Sequence, residues 1–561
     1  MSTAGASDTP RPPRPAATLV VVRDAAVGIE VLLLRRAERG DHNSGAWVFP
    51  GGVVDAADRD AHRCCAGLDD AQASARLGLD RGGLDYYVAA VRECFEEAGL
   101  LYARAPGAAA LVELHGDEAE RIAAWREPLN RGERTLTEFC GATGWQLAVD
   151  ELVYLSHWLT PPLRIKRFDT RFFVARAPAV QISAHDAAEM VEQRWLRPAD
   201  AIARAGELKL MTPTLKTLEA LARFDGVDAL LAWARAPRTV PLVMPMIGRG
   251  RQGQRPVTPD EPAYAELARL DPQCHGHHSY ELEPGMPVRL SPRVIRVTAN
   301  NGSVMTGPGT NTYLVGGGPA NEWAVIDPGP DDDRHVRAVA AAAPGPIRWI
   351  FATHTHLDHS PATAALREAT GAVVHGRRPA HPEWQDAAFA PDVELAGGER
   401  FVLHDDCTLR VVHTPGHASN HLCFLLEQEK LLFTGDHLMQ QSTVVINPPD
   451  GDMAAYLASL NALLAEDLDW LAPGHGFLMA RPREVIEGVI AHRLRREAKV
   501  VDALRELGPA PADALLARVY DDVPERLHGV ALRSLKAHLL KLRHDGAAAE
   551  TSGRWALTAS A

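Results

Sequence analysis

The chain has 561 residues, which is long enough for three to four domains. Its 59 Lys and Arg against 72 Asp and Glu give a net charge of −13, which excludes a strongly basic nucleic-acid binder, so affinity for RNA would need a local cationic patch. The odd number of seven cysteines argues against a disulfide framework. No apolar run reaches the length of a membrane span and no signal peptide leads the chain, so we predict a cytoplasmic protein without a membrane partner.

The first functional signal follows residues 1–15, a Pro-, Ala- and Ser-rich stretch that we predict to be a disordered tail. Gly45–Asp55 contains a Gly-Gly pair, and Arg92–Leu100 reads Arg-Glu-Cys-Phe-Glu-Glu-Ala-Gly-Leu. On a helix, the glutamates of the second segment stand at i, i+3 and i+4 and share one face. Three carboxylates on one face repel one another unless a cation joins them, and hard oxygen ligands suit Mg²⁺ or Mn²⁺. These glutamates are Glu93, Glu96 and Glu97.

The two segments together resemble the Nudix box, and we place the resemblance on residues 16–236. Because Ala56–Tyr86 separates the segments, the box is similar to the interrupted form of the branch that includes coenzyme A diphosphatases. The resemblance implies an α/β/α sandwich that cleaves a nucleoside-diphosphate-linked, CoA-like substrate with Mg or Mn bound by the three glutamates. Glu96 and Glu97 would be catalytic, and Arg92 would orient the glutamates through charge-assisted bonds.

Other residues of this segment take expected roles from the same resemblance. The loop of Gly51 and Gly52 would supply backbone contacts to the substrate, and Glu192 would assist catalysis. Arg167 and Arg171 could hold phosphates as bidentate donors. A surface strand with alternating charge explains these two arginines equally well.

Residues 237–285 are predicted to be a linker, with the Gly- and Arg-rich run Gly248–Arg255 at its centre. We favour an exposed flexible tether over a segment that contacts RNA. Cys274–His278 reads Cys-His-Gly-His-His, but no partner residues at fixed spacing accompany it. A surface loop is therefore favoured there, and a metal cluster is the minor alternative.

Residues 286–487 hold the densest set of metal-ligand residue types in the chain. The apolar, strand-like run Ile347–Ala352 leads into Thr-His-Thr-His-Leu-Asp-His-Ser at Thr353–Ser360, and more ligand types follow where later apolar runs give way to Gly or Pro. Neutral imidazole and carboxylate are ligands that zinc prefers, and strand-end loops hold them rigidly beside substrate. The candidates are His354, His356, Asp358, His359, His417, Asp436 and His475.

The order of these ligands resembles the metallo-β-lactamase fold superfamily, an αββα sandwich that binds two Zn ions, or Mn or Fe. The resemblance implies one ion on His354, His356 and His417 and a second on Asp358, His359 and His475, with Asp436 as the bridge. Two such ions about 3.5–4 Å apart would supply a hydroxide nucleophile, with Asp358 among the catalytic residues. The lactam-cleaving branch places a cysteine near position 436, so the aspartate is similar to the glyoxalase II and ribonuclease Z branches and disfavours antibiotic hydrolysis.

Residues 488–561 are predicted to form a C-terminal winged helix, because three helical patterns precede a two-stranded pattern. The predicted elements are residues 485–507, 510–520, 530–543 and 546–559. This tail, together with Gly309–Leu314 and Val325–Gly329, resembles the lactamase-β-2-like group. A packing or RNA-positioning lid is favoured over sequence-specific DNA reading, because acidic residues dilute the cations near the third helix. Those cations are Arg533, Lys536, Lys541 and Arg543.

These signals together predict a multidomain α/β and α+β protein that is a bifunctional metal-dependent hydrolase. Its Nudix half would cleave a nucleotide-type small molecule, and its lactamase-like half would cleave an RNA-like phosphodiester, with single-stranded RNA as the macromolecular partner. The alternative for the second half is a thioesterase acting on an acyl-CoA or a glutathione thioester. A third alternative, from a non-enzymatic class, is a ligand-sensing regulator. The sequence leaves the oligomeric state open.

Overall fold

The computed structural model describes residues 12–38, 44–179, 181 and 190–559, which form two compact units. The first unit extends to Ile247 and includes Gln273–His275, and the second holds Gly248–Pro272 and the chain from Gly276 onward. Most of the predicted tail, residues 1–11, lies outside the described residues. The first strand begins at Arg14, so residues 14 and 15 belong to a sheet instead of the tail. Across the described ranges, no helix is long and apolar enough to cross a membrane.

The first unit is built on a mixed eight-stranded sheet, and a separate two-stranded pair lies beside it. The sheet has the order β10-β7-β8-β1-β2-β3, with β4 added on β1 and β9 on β2, and β5 and β6 form the pair. The strands are β1 (Arg14–Asp24), β2 (Ile29–Arg36), β3 (Trp47–Val48), β4 (Gly51–Val53), β5 (Ala103–Arg104), β6 (Gln146–Leu147), β7 (Val153–Leu159), β8 (Phe168–Arg176), β9 (Met190–Leu196) and β10 (Leu242–Val243).

Helices cover both faces of this sheet, because buried apolar side chains of β1 point alternately to one face and to the other. Leu19 and Val21 face one core, which includes residues of α3, whereas Val20 and Val22 face a second core with residues of α8 and α9. The predicted α/β/α sandwich is confirmed. The helices are α1 (Ala56–Asp60), α2 (Asp70–Leu77), α3 (Gly83–Ala98), α4 (Gly116–Ala123), α5 (Arg126–Asn130), α6 (Leu136–Thr143), α7 (Pro198–Ala203), α8 (Thr212–Leu221) and α9 (Val227–Arg235).

The insertion that interrupts the Nudix-like box is folded. It forms α1, a 3₁₀ turn at Ala61–Cys64 and α2 before α3 begins. The Gly83 amide donates to the Ser74 hydroxyl at 2.9 Å, which ties the end of the insertion to the start of the glutamate helix. The extra residues therefore support α3 without displacing it.

Residues 237–285, predicted as a flexible linker, contain regular secondary structure, so the predicted flexibility is wrong. Beyond β10 it holds a hairpin of β11 (Met246–Gly250) and β12 (Gly253–Val257), and then helix α10 (Tyr264–Leu270). Glu266 of α10 is buried and accepts two hydrogen bonds from the buried Arg296 guanidinium, at 2.6 and 2.9 Å. Because an unpaired buried charge costs about 3–5 kcal/mol, this ion pair fixes the segment in place.

The second unit contains two packed sheets with helices outside them, the predicted αββα sandwich. Aromatic side chains fill the space between the sheets, including Phe351 and Tyr313 from one and Phe424 and Phe433 from the other. The first sheet holds β13 (Pro287–Ser291), β14 (Val294–Thr298), β15 (Asn311–Gly317), β16 (Glu322–Ile326), β17 (Ile347–Phe351), β18 (Val373–Gly376) and β19 (Val393–Glu394). The second holds β20 (Arg400–His404), β21 (Cys407–His413), β22 (Leu422–Leu426), β23 (Leu431–Gly435), β24 (Trp470–Pro473) and β25 (Met479–Ala480). The outer helices are α11 (Asp333–Ala342), α12 (Thr363–Thr370) and α13 (Met453–Leu463).

The C-terminal part of this unit is the predicted winged helix. It comprises α14 (Pro482–Leu507), α15 (Ala512–Val519), α16 (His528–His544) and a wing of β26 (Ala548–Thr551) and β27 (Arg554–Leu557). Ala537 of α16 packs in the same buried cluster as Tyr456 and Leu460 of α13. The buried Arg493 of α14 donates to the carbonyl of Val444 and lies 5.4 Å from the ring centre of Tyr456. The winged helix is therefore docked on the sandwich.

Candidate active sites

The seven predicted metal ligands of the second unit converge at one edge of the two sheets. Four of them, His354, His356, Asp358 and His359, lie in the loop after β17. His417 follows β21, Asp436 follows β23 directly, and His475 follows β24. Their ligand atoms fall into three groups that share members, each within 4.8 Å. The groups are His354, His356 and His417; His354, His359 and Asp436; and Asp358, His359 and His475.

The arrangement of ligand atoms fits divalent cations. His356 Nδ1 and His417 Nε2 face each other at 2.9 Å, and His475 Nε2 lies 3.2 Å from Asp436 Oδ1. The second oxygen of Asp436 lies 3.7 Å from His417 Nε2, so this carboxylate reaches both halves of the centre. Several buried ligand atoms have no hydrogen-bond partner, which a native protein tolerates where an ion satisfies them. They are His354 Nε2, His359 Nε2, His475 Nε2 and Asp436 Oδ1.

One half of the centre consists of neutral imidazoles. Burial, and then the neighbouring imidazoles, hold the pKa of His354 well below its usual value. Burial and His417 lower the pKa of His356 to about 3, and burial lowers the pKa of His417 itself. The three rings therefore stay uncharged at neutral pH, which is the form that binds a metal ion.

The other half is rich in carboxylates. Burial opposes charge on His475, but Asp436 and Asp358 outweigh it and raise its pKa to about 9. Burial likewise opposes charge on His359, and the same carboxylates together with Asp327 raise its pKa well above the usual value. This negative environment suits a divalent cation, whose binding displaces the protons from the two imidazoles.

Asp327 is a supporting residue whose role sequence reasoning missed. Its Oδ2 accepts a hydrogen bond from His359 Nδ1 at 2.8 Å, and its Oδ1 accepts one from the Thr353 amide at 2.7 Å. A carboxylate behind a ligating histidine fixes the ring orientation and raises the basicity of the ligating nitrogen. Asp327 has φ +52°, a conformation that non-glycine residues rarely adopt. The available signal was an aspartate directly after a buried strand and before Pro-Gly.

In the first unit, Arg92 gathers the glutamate face of α3. Its guanidinium donates to Asp58 at 2.8 Å, to Glu93 at 2.8 Å and to Glu96 at 3.3 Å. Glu97 accepts from the Gly51 amide at 2.9 Å, which joins the glycine loop to the helix. Burial raises the pKa of Glu96 to about 7, since Arg92 only partly offsets it. A cation beside these carboxylates would favour their ionised form.

Gly52 lies where the glycine loop approaches the glutamates of α3 closely. A Cβ at this position would lie 2.3 Å from Glu93 Oε1 and 2.4 Å from its carboxyl carbon. A side chain at position 52 would therefore displace the Glu93 carboxylate from its place beside β4.

Comparison with known proteins identifies these modules. Residues 305–475 match the family described as Metallo-beta-lactamase superfamily, residues 81–219 match the NUDT19 Nudix domain, and residues 512–555 match the Beta-lactamase associated winged helix domain. The Atrochrysone carboxyl ACP thioesterase of Aspergillus chevalieri is 33% identical over 273 residues, which cover 46% of this chain and 83% of that protein. The chain belongs to the metallo-beta-lactamase superfamily. With a Nudix domain in front of the lactamase domain, it is a hydrolase.

Two further known proteins are similar to this chain. The Beta-lactamase-like protein 2 homolog of Caenorhabditis elegans is 29% identical over 271 residues, covering 46% of this chain and 86% of that protein. A NUDIX hydrolase structure from Alicyclobacillus acidocaldarius has 27% identity and a TM-score of 0.34, and the match covers 39% of this chain and 96% of that chain.

Three other predicted site residues of the Nudix domain contact side chains or backbone of their own domain. Glu192 lies on β9 and pairs with Arg194 at 2.5 Å, and its catalytic role stays a prediction. Arg167 donates to the Thr160 carbonyl at 3.2 Å, and its phosphate contact also stays a prediction. Arg171 is buried, and its guanidinium contacts Asp169 and His157. This arginine is therefore held by side chains of its own domain, and its phosphate contact stays a prediction as well.

The Asp327→Asn variant tests the supporting shell of the lactamase domain. Its zinc affinity is expected to fall about 10- to 100-fold, because an amide cannot support the His359 imidazole as a carboxylate does. The measurement is competition for zinc with a chromophoric chelator. Asp332→Asn, at the N-cap of α11, is the matched control and should keep the wild-type affinity. Equal affinity of the Asp327 variant and the wild type would refute the role assigned to this residue.

Proposed function

We propose that the lactamase domain hydrolyses acyl thioesters and that the Nudix domain hydrolyses a nucleoside-diphosphate-linked compound of the coenzyme A type. The observation that carries the first part is a set of exposed apolar side chains on two loops of the metal centre, which we call the apolar rim. Leu357, between two ligands, exposes 63% of its surface, and Val304 and Met305 expose 81% and 47%. Leu357 lies in the ligand loop, and Val304 and Met305 lie in the loop that leads to Thr310. Exposed apolar side chains on loops bonded to a polar centre favour an apolar substrate group.

The loop that carries part of this rim is connected to the centre. A bridge between Ser303 and Gly307 closes a turn with Val304 and Met305 at its tip. Farther along the loop, the Thr310 hydroxyl donates to Asp358 Oδ2 at 3.1 Å. The turn and the metal centre therefore belong to one bonded loop, which is consistent with an acyl chain lying on the turn.

We favour the phosphodiester hypothesis less, because carboxylates of the winged helix already pair with part of its cationic patch. Lys541 donates to Glu497 at 2.9 Å and to Asp545 at 2.6 Å. Arg543 lies 3.4 Å from Glu550. These cations are therefore less available to a nucleic-acid backbone, and the relative named as an ACP thioesterase independently supports thioester chemistry.

The residues of the lactamase domain divide the work of thioester hydrolysis. In the reaction, the oxygen of water bonds to the acyl carbon, the C–S bond breaks, and the thiol leaves with a proton. When bound, the divalent ions would polarise the carbonyl and promote ionisation of water. The neutral imidazoles of His354, His356 and His417 would hold one ion. The Asp358 side chain is 25% exposed against 12% for Asp436, so Asp358 would be the more accessible carboxylate to an entering substrate.

The Nudix proposal depends on the glutamate face of α3. Glu93, Glu96 and Glu97 would hold Mg or Mn with oxygen ligands, and Arg92 keeps the carboxylates together through its hydrogen bonds. Attack of water on one phosphorus of the pyrophosphate would then break the P–O–P linkage and leave one of its two phosphates on each product. The two proposals are chemically connected, because thioester hydrolysis of an acyl-CoA releases the free CoA that a CoA pyrophosphatase would cleave.

A substrate panel tests the proposal. Purified full-length protein is supplied with Zn, Mn or Mg and incubated with an acyl-CoA, an acyl-pantetheine, free CoA and short single-stranded RNA. We expect release of thiol from both thioesters and cleavage of free CoA, with intact RNA. Cleavage of RNA while both thioesters stay intact would overturn the proposed activity of the lactamase domain.

A further inference from the structure

Trp384 is an unusual residue at the edge of the lactamase centre. It exposes 68% of its surface, although tryptophan normally buries a large apolar area. Its backbone has φ +71°, which is strained for a bulky side chain and persists only where the surrounding structure enforces it. An exposed indole held by a strained backbone is a feature that packing alone does not explain.

The contacts of the neighbouring residues place Trp384 next to the metal ligands. Gln385 forms an isolated bridge with His356, and its side-chain oxygen accepts a hydrogen bond from the Thr355 hydroxyl at 2.7 Å. The Asp386 amide donates to the Thr355 carbonyl at 2.6 Å. The indole is therefore one residue away from a segment bonded to the ligand loop.

The winged helix adds a cation to this position. The guanidinium carbon of Arg533, on α16, lies 5.8 Å from the centre of the Trp384 ring. Lys536 is three residues further along the same helix and thus on the same side of it. Both side chains are exposed, and neither has a carboxylate partner within 4 Å among the residues that the structure describes. They differ in this from Lys541 and Arg543 of the same helix.

We propose that Trp384, Arg533 and Lys536 form the site that binds the phosphate-bearing end of the thiol carrier, so that the substrate class is a phosphopantetheine thioester. This inference rests on the proposed thioesterase function. The acyl group would lie on the apolar rim of Val304, Met305 and Leu357, and the anionic end would reach the cations of α16. Guanidinium and ammonium groups pair with phosphate, and the indole face offers a flat surface to pantetheine or adenine.

The docking of α16 makes this site part of the catalytic unit. Ala537, four residues after Arg533, is buried against α13 of the sandwich. The cations are therefore held at a fixed position relative to the metal centre instead of on a mobile tail. The winged helix accordingly has a role in recognising substrate.

The test compares thioesters with and without phosphate, using full-length protein loaded with zinc. The Arg533→Glu/Lys536→Glu variant should raise KM for an acyl-CoA at least about tenfold, because the charge-assisted bonds to phosphate are lost and the new carboxylates repel it. Its kcat for acyl-CoA, and both constants for the phosphate-free acyl-pantetheine, should stay unchanged. Trp384→Ala should also raise KM for acyl-CoA. The conservative variant Arg533→Lys should keep part of the wild-type affinity that the charge reversal removes. Arg495→Glu, a charge reversal at an exposed position of α14, is the matched control and should behave as wild type.

Two arms identify which phosphate is bound. A rise in KM for both acyl-phosphopantetheine and acyl-CoA assigns the site to the phosphate next to pantetheine. A rise for acyl-CoA alone assigns it to the nucleotide end. For the Arg533→Glu/Lys536→Glu variant, unchanged KM for both phosphate-bearing thioesters, or an equal change for acyl-pantetheine, would overturn the inference while the proposed thioesterase activity stands. Loss of RNA cleavage without any effect on acyl-CoA would overturn it in favour of a nucleic-acid site. If wild-type protein hydrolyses no acyl-pantetheine, the proposed function itself has failed.

Discussion

Replacing His356 with alanine is expected to abolish thioester hydrolysis and to leave magnesium-dependent cleavage of CoA intact. His356 Nδ1 faces His417 Nε2 at 2.9 Å, and both atoms belong to the neutral half of the centre. Loss of this ligand should weaken one ion and its polarisation of the carbonyl. Because such Lewis-acid stabilisation amounts to several kcal/mol, kcat/KM should fall about a thousandfold or more.

The control for this variant is His413→Ala. His413 is an exposed histidine at the end of β21, four residues before a ligand but outside the three ligand groups. It should retain both activities and bind the wild-type amount of zinc. If His356→Ala kept more than a tenth of the thioesterase activity, or lost the CoA cleavage as well, the separate-site account would be contradicted.

Replacing Glu97 with glutamine should have the opposite selectivity. Glu97 is buried and holds the glycine loop through the Gly51 amide. Glutamine keeps the size of the side chain and can still accept that hydrogen bond, but it removes the negative charge that Mg or Mn requires. Cleavage of CoA should therefore fall about a thousandfold, with thioester hydrolysis and thermal stability unchanged.

Glu118→Gln provides the matched removal of a carboxylate at an exposed position of the same unit, in α4. Its activities should equal those of the wild type. Equal CoA cleavage by Glu97→Gln and Glu118→Gln would remove Glu97 from the Nudix site. A loss of both activities in Glu97→Gln would show that the two sites depend on one another.

The grouping of the candidate site residues could be predicted largely because their chemistry is local in sequence. The Glu93, Glu96 and Glu97 face follows from helical spacing alone, and the loop from His354 to His359 contains four ligands within six positions. The two sandwich folds could also be predicted, because the order of the motifs and the apolar, strand-like runs between them indicate these folds. In each case a short stretch of chain determines the contacts.

The linker and the supporting residues could not be predicted, because their roles depend on distant partners. Glu266 is a lone acidic residue in a polar segment until Arg296 is brought against it by folding. In the sequence, Asp327 has the features of an ordinary turn residue, and only folding places its carboxylate behind the His359 ring. Arg171, which looks like an exposed phosphate ligand in sequence, is buried by the packing of its sheet.

The most direct test of the central claim, that seven converging side chains hold two divalent ions, is anomalous diffraction at the zinc edge from crystals of the zinc-loaded protein. We predict two peaks in the lactamase domain, one among His354, His356 and His417 and the other among Asp358, His359 and His475. A single peak, or zinc bound only at other residues, would contradict the account.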